Sequence, residues 1–190
     1  MRVISGSVGG LPLTVPKGHK VRPTTDRVRE SVFNILASRF SLTDIDVLDL
    51  FAGTGALGIE ALSRGVRSTV FVDASPDAQK IIRANLKTTK LLHRGRILRA
   101  YALKGIGILE DQGLRFGGVF LDPPYEEGWV DKTLRRLARS AILRVGAWIV
   151  VEHARDEAGA ESYAPLVLTD SRCYGTTGVS FYQHKGEEAE

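Results

Sequence analysis

At 190 residues the chain is long enough for one domain with a full core and too short for two ordinary ones. Its hydrophobic share of 43% and charged share of 25% are those of a soluble globular protein, and no uninterrupted apolar run is long enough to cross a bilayer. A net charge of +4 permits nucleic-acid binding without requiring it, and a single cysteine, Cys173, excludes an internal disulfide and a cysteine-rich zinc site. Met1-Arg2-Val3-Ile4-Ser5-Gly6 lacks the apolar core of a signal peptide, so a cytoplasmic location is expected by default.

The first fifteen residues predict a small hairpin: Arg2 to Ser5, a glycine-rich turn at 6–10, then Leu11 to Val15. Lys17 to Pro23 is a basic loop. A helix is expected from Thr24 or Thr25, with a hydroxyl cap, Asp26 at the positive end of the dipole, and Val28, Val32, Ile35 and Leu36 on one face. From Asp46 the pattern alternates. Strands are expected at 47–51 and 68–72, a weaker one at Ile97-Leu98, and clear ones at 118–121 and 147–151. Helices are expected through Ile59 and Leu62, through Ala78 to Leu86, and through Leu134 to Ala138. Apolar strands alternating with helices indicate an α/β protein, a doubly wound and mostly parallel sheet covered on both faces. Leu166 to Leu168 and Val179 to Tyr182 then form an antiparallel hairpin. In this reading residues 1–23 belong to the same domain as 24–185, and 186–190, with three glutamates, is a disordered acidic tail.

Two segments carry chemistry. Asp49-Leu-Phe51-Ala52-Gly53-Thr-Gly55-Ala-Leu-Gly58 places a G-x-G-x-x-G between a strand and a helix, which suits any nucleotide cofactor on such a sheet. Asp73, ending the second strand, is placed to accept from both ribose hydroxyls, with Ala74 beside it. Asp49 separates the possible ligands: a carboxylate at the strand's end repels a pyrophosphate and favours S-adenosylmethionine, whose charges are an ammonium and a sulfonium. No Gly-Lys-Ser/Thr follows the glycines, which excludes a P-loop.

The second segment is Asp122-Pro123-Pro124-Tyr125, directly after the fourth strand. The prolines remove two donors and fix two φ angles, leaving carbonyls turned outward. Asp122 and the Pro123 carbonyl can bind the two hydrogens of an exocyclic base amine and orient its lone pair, while Tyr125 stacks on the base. Much of the acceleration expected there is positional.

With these segments placed, the chain resembles an S-adenosylmethionine-dependent amino-methyltransferase of Rossmann-like fold. Arg22-Pro-Thr24-Thr-Asp-Arg-Val-Arg-Glu-Ser-Val-Phe-Asn-Ile-Leu36, Asp49 to Gly65 and Tyr174-Gly175 are similar to the blocks of the RsmD family, from about Arg2 to Tyr182. The resemblance implies methylation of guanine N2 in a 16S rRNA hairpin loop of an assembled or partly assembled small ribosomal subunit. It leaves the nucleotide and the oligomeric state open; a monomer is the working expectation. Lacking a separate RNA-binding domain, the chain would use the hairpin, the 17–29 region and the rim of the site to hold RNA backbone.

Two positions depart from the family: Asp73 stands where glutamate is usual, and Tyr101-Ala102 where an acid or amide often holds adenine, so the Tyr101 side chain or the Ala102 N–H would serve. Arg22 and Thr24 are candidates for the cofactor's methionine end, with Thr24 equally suited to a helix cap, and Phe51 for the pocket edge. Glu152 reads as a surface carboxylate, Trp129 as helix-start packing, Cys173 as a strand residue. His19, His93, His153 and His184 show no ligand spacing, so no metal is expected. Three alternatives stay open: amine methylation of DNA adenine or cytosine or of protein glutamine, a nicotinamide-dependent oxidoreductase, and a non-catalytic RNA-binding factor.

Overall fold

A computed structural model describes residues 1–16, 25–125 and 127–186. Its centre is one eight-stranded sheet. In chain order the elements are α1 (Asp26–Arg39), β1 (Asp46–Leu50), α2 (Ala56–Ser63), β2 (Ser68–Asp73), α3 (Pro76–Thr88), β3 (Gly95–Arg99), α4 (Ala102–Asp111), β4 (Phe116–Leu121), α5 (Trp129–Ala138), β5 (Leu143–Ala154), β6 (Ser162–Tyr163), β7 (Leu166–Tyr174) and β8 (Thr177–His184). The strand order is β3-β2-β1-β4-β5-β8-β7-β6, parallel from β3 through β5 and antiparallel beyond. Among the described residues no helix is long and apolar enough to cross a membrane.

The period-two alternation of strand side chains divides the core. Val47, Phe71, Phe120, Trp148 and Val150 pack on the face shared with α1 to α3, while Leu48, Leu50, Val119, Leu121 and Ile149 pack on the face shared with α4 and α5. Phe33 of α1, Phe120 and Trp148 stack in series, with centroids 5.4 and 5.0 Å apart. A Cβ on Gly118 would lie 2.1 Å from the Trp148 ring, so only glycine fits there.

The expected elements form, with differences at their edges. Thr25 caps α1, its hydroxyl accepting from Val28 N at 3.3 Å. The sequence reading passed over α4, β6 and most of β7, and β7 and β8 meet in a tight turn at Gly175-Thr176. The expected N-terminal hairpin forms no regular strands: its two arms meet in a single isolated bridge, Arg2 with Pro12, with Val3 N donating to Leu11 O at 2.9 Å, and the segment is docked rather than free. Ile4 N and Ser5 N donate to Glu60 of α2 at 2.7 and 3.0 Å, and the buried Arg29 binds Asp26 and the Arg2 carbonyl. Tyr174, at the tip of the distant hairpin, reaches Ser31 of α1 at 2.5 Å. The acidic residues Glu187, Glu188 and Glu190 lie outside the described residues.

Candidate active site

Strand order reverses between β1 and β4, and in open α/β sheets the crevice at the carboxyl ends of such strands receives ligands. A cleft of about 1160 Å³ opens there. Of the residues singled out in the sequence, Asp49, Phe51, Ala52, Gly53, Asp73, Ala74, Tyr101, Ala102 and the whole of Asp122 to Tyr125 line it. Arg22 and Thr24 lie outside the described residues.

Gly55 and Gly58 do not line the cleft; they shape it from behind. Gly55 takes φ 76° at the start of α2, a left-handed conformation that glycine adopts without steric cost. A Cβ on Gly58 would lie 2.3 Å from the Phe71 ring and 2.9 Å from Asp49 Oδ2. Its bare backbone lets Gly58 N donate to Asp49 Oδ2 at 2.9 Å. Gly53 N and Ser75 N donate to the two oxygens of Asp73, at 2.9 and 2.8 Å, so Asp73 braces the glycine loop and keeps one further lone pair per oxygen for a ligand. Phe51 takes φ 59°, unusual for a bulky residue, and meets the Trp129 ring edge-on at 5.9 Å. Trp129 is thus part of the cleft wall as well as the first residue of α5. Tyr101, 74% exposed, stands on the rim at the start of α4.

Electrostatics mark the floor. Asp49 is 1% exposed; burial pushes its carboxyl up to about 8, against the Gly58 hydrogen bond, with Asp73 adding repulsion. Burial, then Glu152 and Asp49, raises Asp122 well above the usual carboxylate range. Burial and Glu152 push the Tyr125 phenol up to about 12. Glu152 corrects the expectation of a surface carboxylate: β5 runs on to Ala154, Glu152 is only 6% exposed, and Tyr125 Oη donates to its Oε1 at 3.3 Å. The signal available in the sequence was its position, an acid closing an apolar strand as Asp122 follows β4.

The described lining holds the carboxyl groups of Asp49, Asp73, Asp77, Asp122 and Glu127 against one cationic side chain, Lys80, whose ammonium lies 3.1 Å from Asp77. Such a cleft opposes the phosphates of a dinucleotide and suits a ligand carrying positive charge. His153 is a core residue, its Nε2 2.8 Å from Ser180 Oγ. Among the described residues no group of His, Cys, Asp or Glu is arranged to hold a metal ion.

The family model described as conserved hypothetical protein 95 matches residues 1–183. YlbH of Bacillus subtilis, described as a candidate rRNA methyltransferase, is 40% identical over 186 residues, covering 98% of this chain and all of that protein. Ribosomal RNA small subunit methyltransferase D of Escherichia coli is 33% identical over 187 residues, covering 98% of this chain and 91% of its own length. The solved structure of yhhF, a candidate methyltransferase from Escherichia coli, superimposes with a TM-score of 0.86 at 33% identity, covering 98% of this chain and 99% of that one.

Proposed function

The chain belongs to the family described as conserved hypothetical protein 95, the RsmD family, and from that premise we propose that it is an rRNA methyltransferase that transfers a methyl group from S-adenosylmethionine to guanine N2 of 16S rRNA. The observation that carries the reading is the Asp122-Pro123-Pro124-Tyr125 loop at the end of β4, sharing one acid-rich cleft with the glycine loop after β1.

In this reading Asp49 attracts the cationic end of the cofactor, and Gly53, Ala52 and Phe51 form the loop against which it lies. Asp73 and Ala74 take the ribose, and Tyr101 with the Ala102 N–H takes the adenine. Gly55 and Gly58 keep that loop close to the sheet, and Arg22 and Thr24 remain candidates for the methionine end. Bound there, S-adenosylmethionine supplies an electrophilic methyl group on a sulfonium. Asp122 and the Pro123 carbonyl accept the two amine hydrogens and turn the nitrogen lone pair out of the base plane. Pro124 fixes the loop, and Tyr125 offers its ring to an unstacked base. The N-methylated amine, once positively charged, loses a proton readily, and an Asp122 carboxylate of raised affinity for protons is placed to receive it.

The substrate is 16S rRNA in an assembled or partly assembled small subunit, in the cytoplasm, engaged by a monomer through the N-terminal hairpin, the basic 17–29 region and the cleft rim. The test is methyl transfer to small subunits from a strain lacking the enzyme, followed by mapping of the modified nucleotide. One N2-methylguanosine with the wild type and none with Asp122→Ala is the expected result. Label in DNA or protein and none in ribosomal particles would overturn the reading.

A further inference from the structure

The two prolines fix the backbone up to Pro124, and Tyr125 follows them. It lies between β4 and α5, outside both, and Gly128 takes φ 65° before α5 begins. No regular element therefore sets the direction of its ring, although that ring lines the cleft.

What holds the side chain is its far end. The Tyr125 hydroxyl donates to Glu152 Oε1 at 3.3 Å and takes a hydrogen bond from the Thr177 side chain, so the phenol is used as donor and as acceptor. Glu152 belongs to β5 and Thr177 to β8. Glu152 pairs with Val179 and Ala154 with Thr177, which makes Glu152 and Thr177 diagonal neighbours on one sheet face. Both are buried, and neither lines the cleft. The turn leading into Thr177 is itself anchored: Arg155 N donates to Thr176 O at 3.0 Å, and Tyr174 meets Ser31 of α1 at 2.5 Å.

The phenol oxygen lies on the long axis of the ring, so pinning it fixes the direction of that axis however the ring turns about it. A base stacked on the ring follows its direction, and misplacement by about 1 Å is costly when an amine must meet a methyl group in line. We propose that Thr177 is a positioning residue for methyl transfer: with Glu152 it pins the Tyr125 hydroxyl, so that the ring presents the base to Asp122 and the Pro123 carbonyl in one orientation. This rests on the reading of Tyr125 as the stacking ring of an rRNA methyltransferase. It adds a requirement for the hydroxyl, which stacking alone does not need.

The test measures kcat and KM on small subunits from a strain lacking the enzyme, at saturating S-adenosylmethionine. Tyr125→Phe keeps the ring and loses the anchor; Thr177→Val keeps the shape of the threonine and loses its hydroxyl. Each is expected to lower kcat by about tenfold, more than it raises KM. The double variant should be no slower than the slower single one, because without the phenol Thr177 has nothing to hold. Thr177→Ser, which keeps the hydroxyl, should restore the rate. Calorimetric affinity for S-adenosylhomocysteine should stay at the wild-type value throughout. A wild-type kcat in Tyr125→Phe overturns the proposal, and that variant decides alone if Thr177→Val fails to fold. Losses that multiply in the double variant also overturn it, since Thr177 would then support β8 and not the ring. Absence of wild-type transfer to the particles would instead overturn the rRNA reading, and this inference with it.

Discussion

Asp122 is held where its charged form is costly, enclosed and facing Glu152 and Asp49. Its usefulness as an acceptor depends on that charge, so activity should rise with pH along a limb lying above the usual carboxylate range. Replacing Glu152 with Gln removes a neighbouring negative charge and should move the limb to lower pH, measured as kcat against pH with saturating substrates. Asp122→Asn keeps the shape of the loop but neither attracts a positive charge nor accepts a proton; transfer should fall on the order of a hundredfold to a thousandfold while S-adenosylhomocysteine still binds. The four residues of this loop could be read directly from the sequence, because two prolines after an apolar strand leave few conformations. Glu152 could not. An acid at a strand's end is usually solvated, and this one is covered by β8, distant in sequence, whose Val179 pairs directly with it.

Between elements, a single buried side chain ties the N-terminal segment to the cofactor loop. Asn85, on α3, accepts from Thr14 N at 2.7 Å and donates to Thr14 O at 3.1 Å and Thr54 O at 2.9 Å. Thr54, Met1 and Pro16 all line the cleft, so the clamp holds one cleft wall against another. Asn85→Ala strands these groups and should cost about 1–3 kcal/mol, a fall in melting temperature of several degrees for a chain of this size. Affinity for S-adenosylhomocysteine should fall as well, which calorimetry would show; unchanged affinity beside a lowered melting temperature would make the clamp structural only. Helix α4 explains why some elements escape a reading by pattern. Gly105 and Gly107 lower its helix propensity, yet Gly105 is needed because a Cβ would lie 2.7 Å from Val72 Cγ1. Close packing against β2 has overridden local preference. The long β7 was underestimated for another reason: its outer residues are exposed and polar, Thr169, Ser171 and Arg172 among them, so no apolar run marks the strand.

Over the whole molecule, charge divides between a basic chain and an acidic cleft. The parallel order β3-β2-β1-β4-β5 follows from the strand–helix alternation visible in the sequence, and it brings Asp73, Asp49, Asp122 and Glu152 to the carboxyl ends of four neighbouring strands. No linear pattern displays that row, because its members are up to 103 residues apart, from 49 to 152. Crowding and burial raise the proton affinity of two of its members, Asp122 and Asp49, the latter from 3.8 to about 8. Between those two values the folded protein holds a proton that the unfolded chain has released, so Asp49 makes stability fall as pH rises through this window. A ligand bearing an ammonium favours the ionised carboxylate, so at pH 6.5 its binding must expel the proton. S-adenosylhomocysteine titrated calorimetrically in phosphate and in Tris should therefore give enthalpies that differ by the buffers' heats of ionisation, with about one proton released. Its affinity should rise with pH toward 8 and then level. In Asp49→Asn the dependence on buffer should shrink and the affinity should drop together. Equal enthalpies in both buffers with the wild type would mean that Asp49 is already ionised in the free protein, and the pull of the cleft on a cationic cofactor would then come from fixed charge with no proton exchanged.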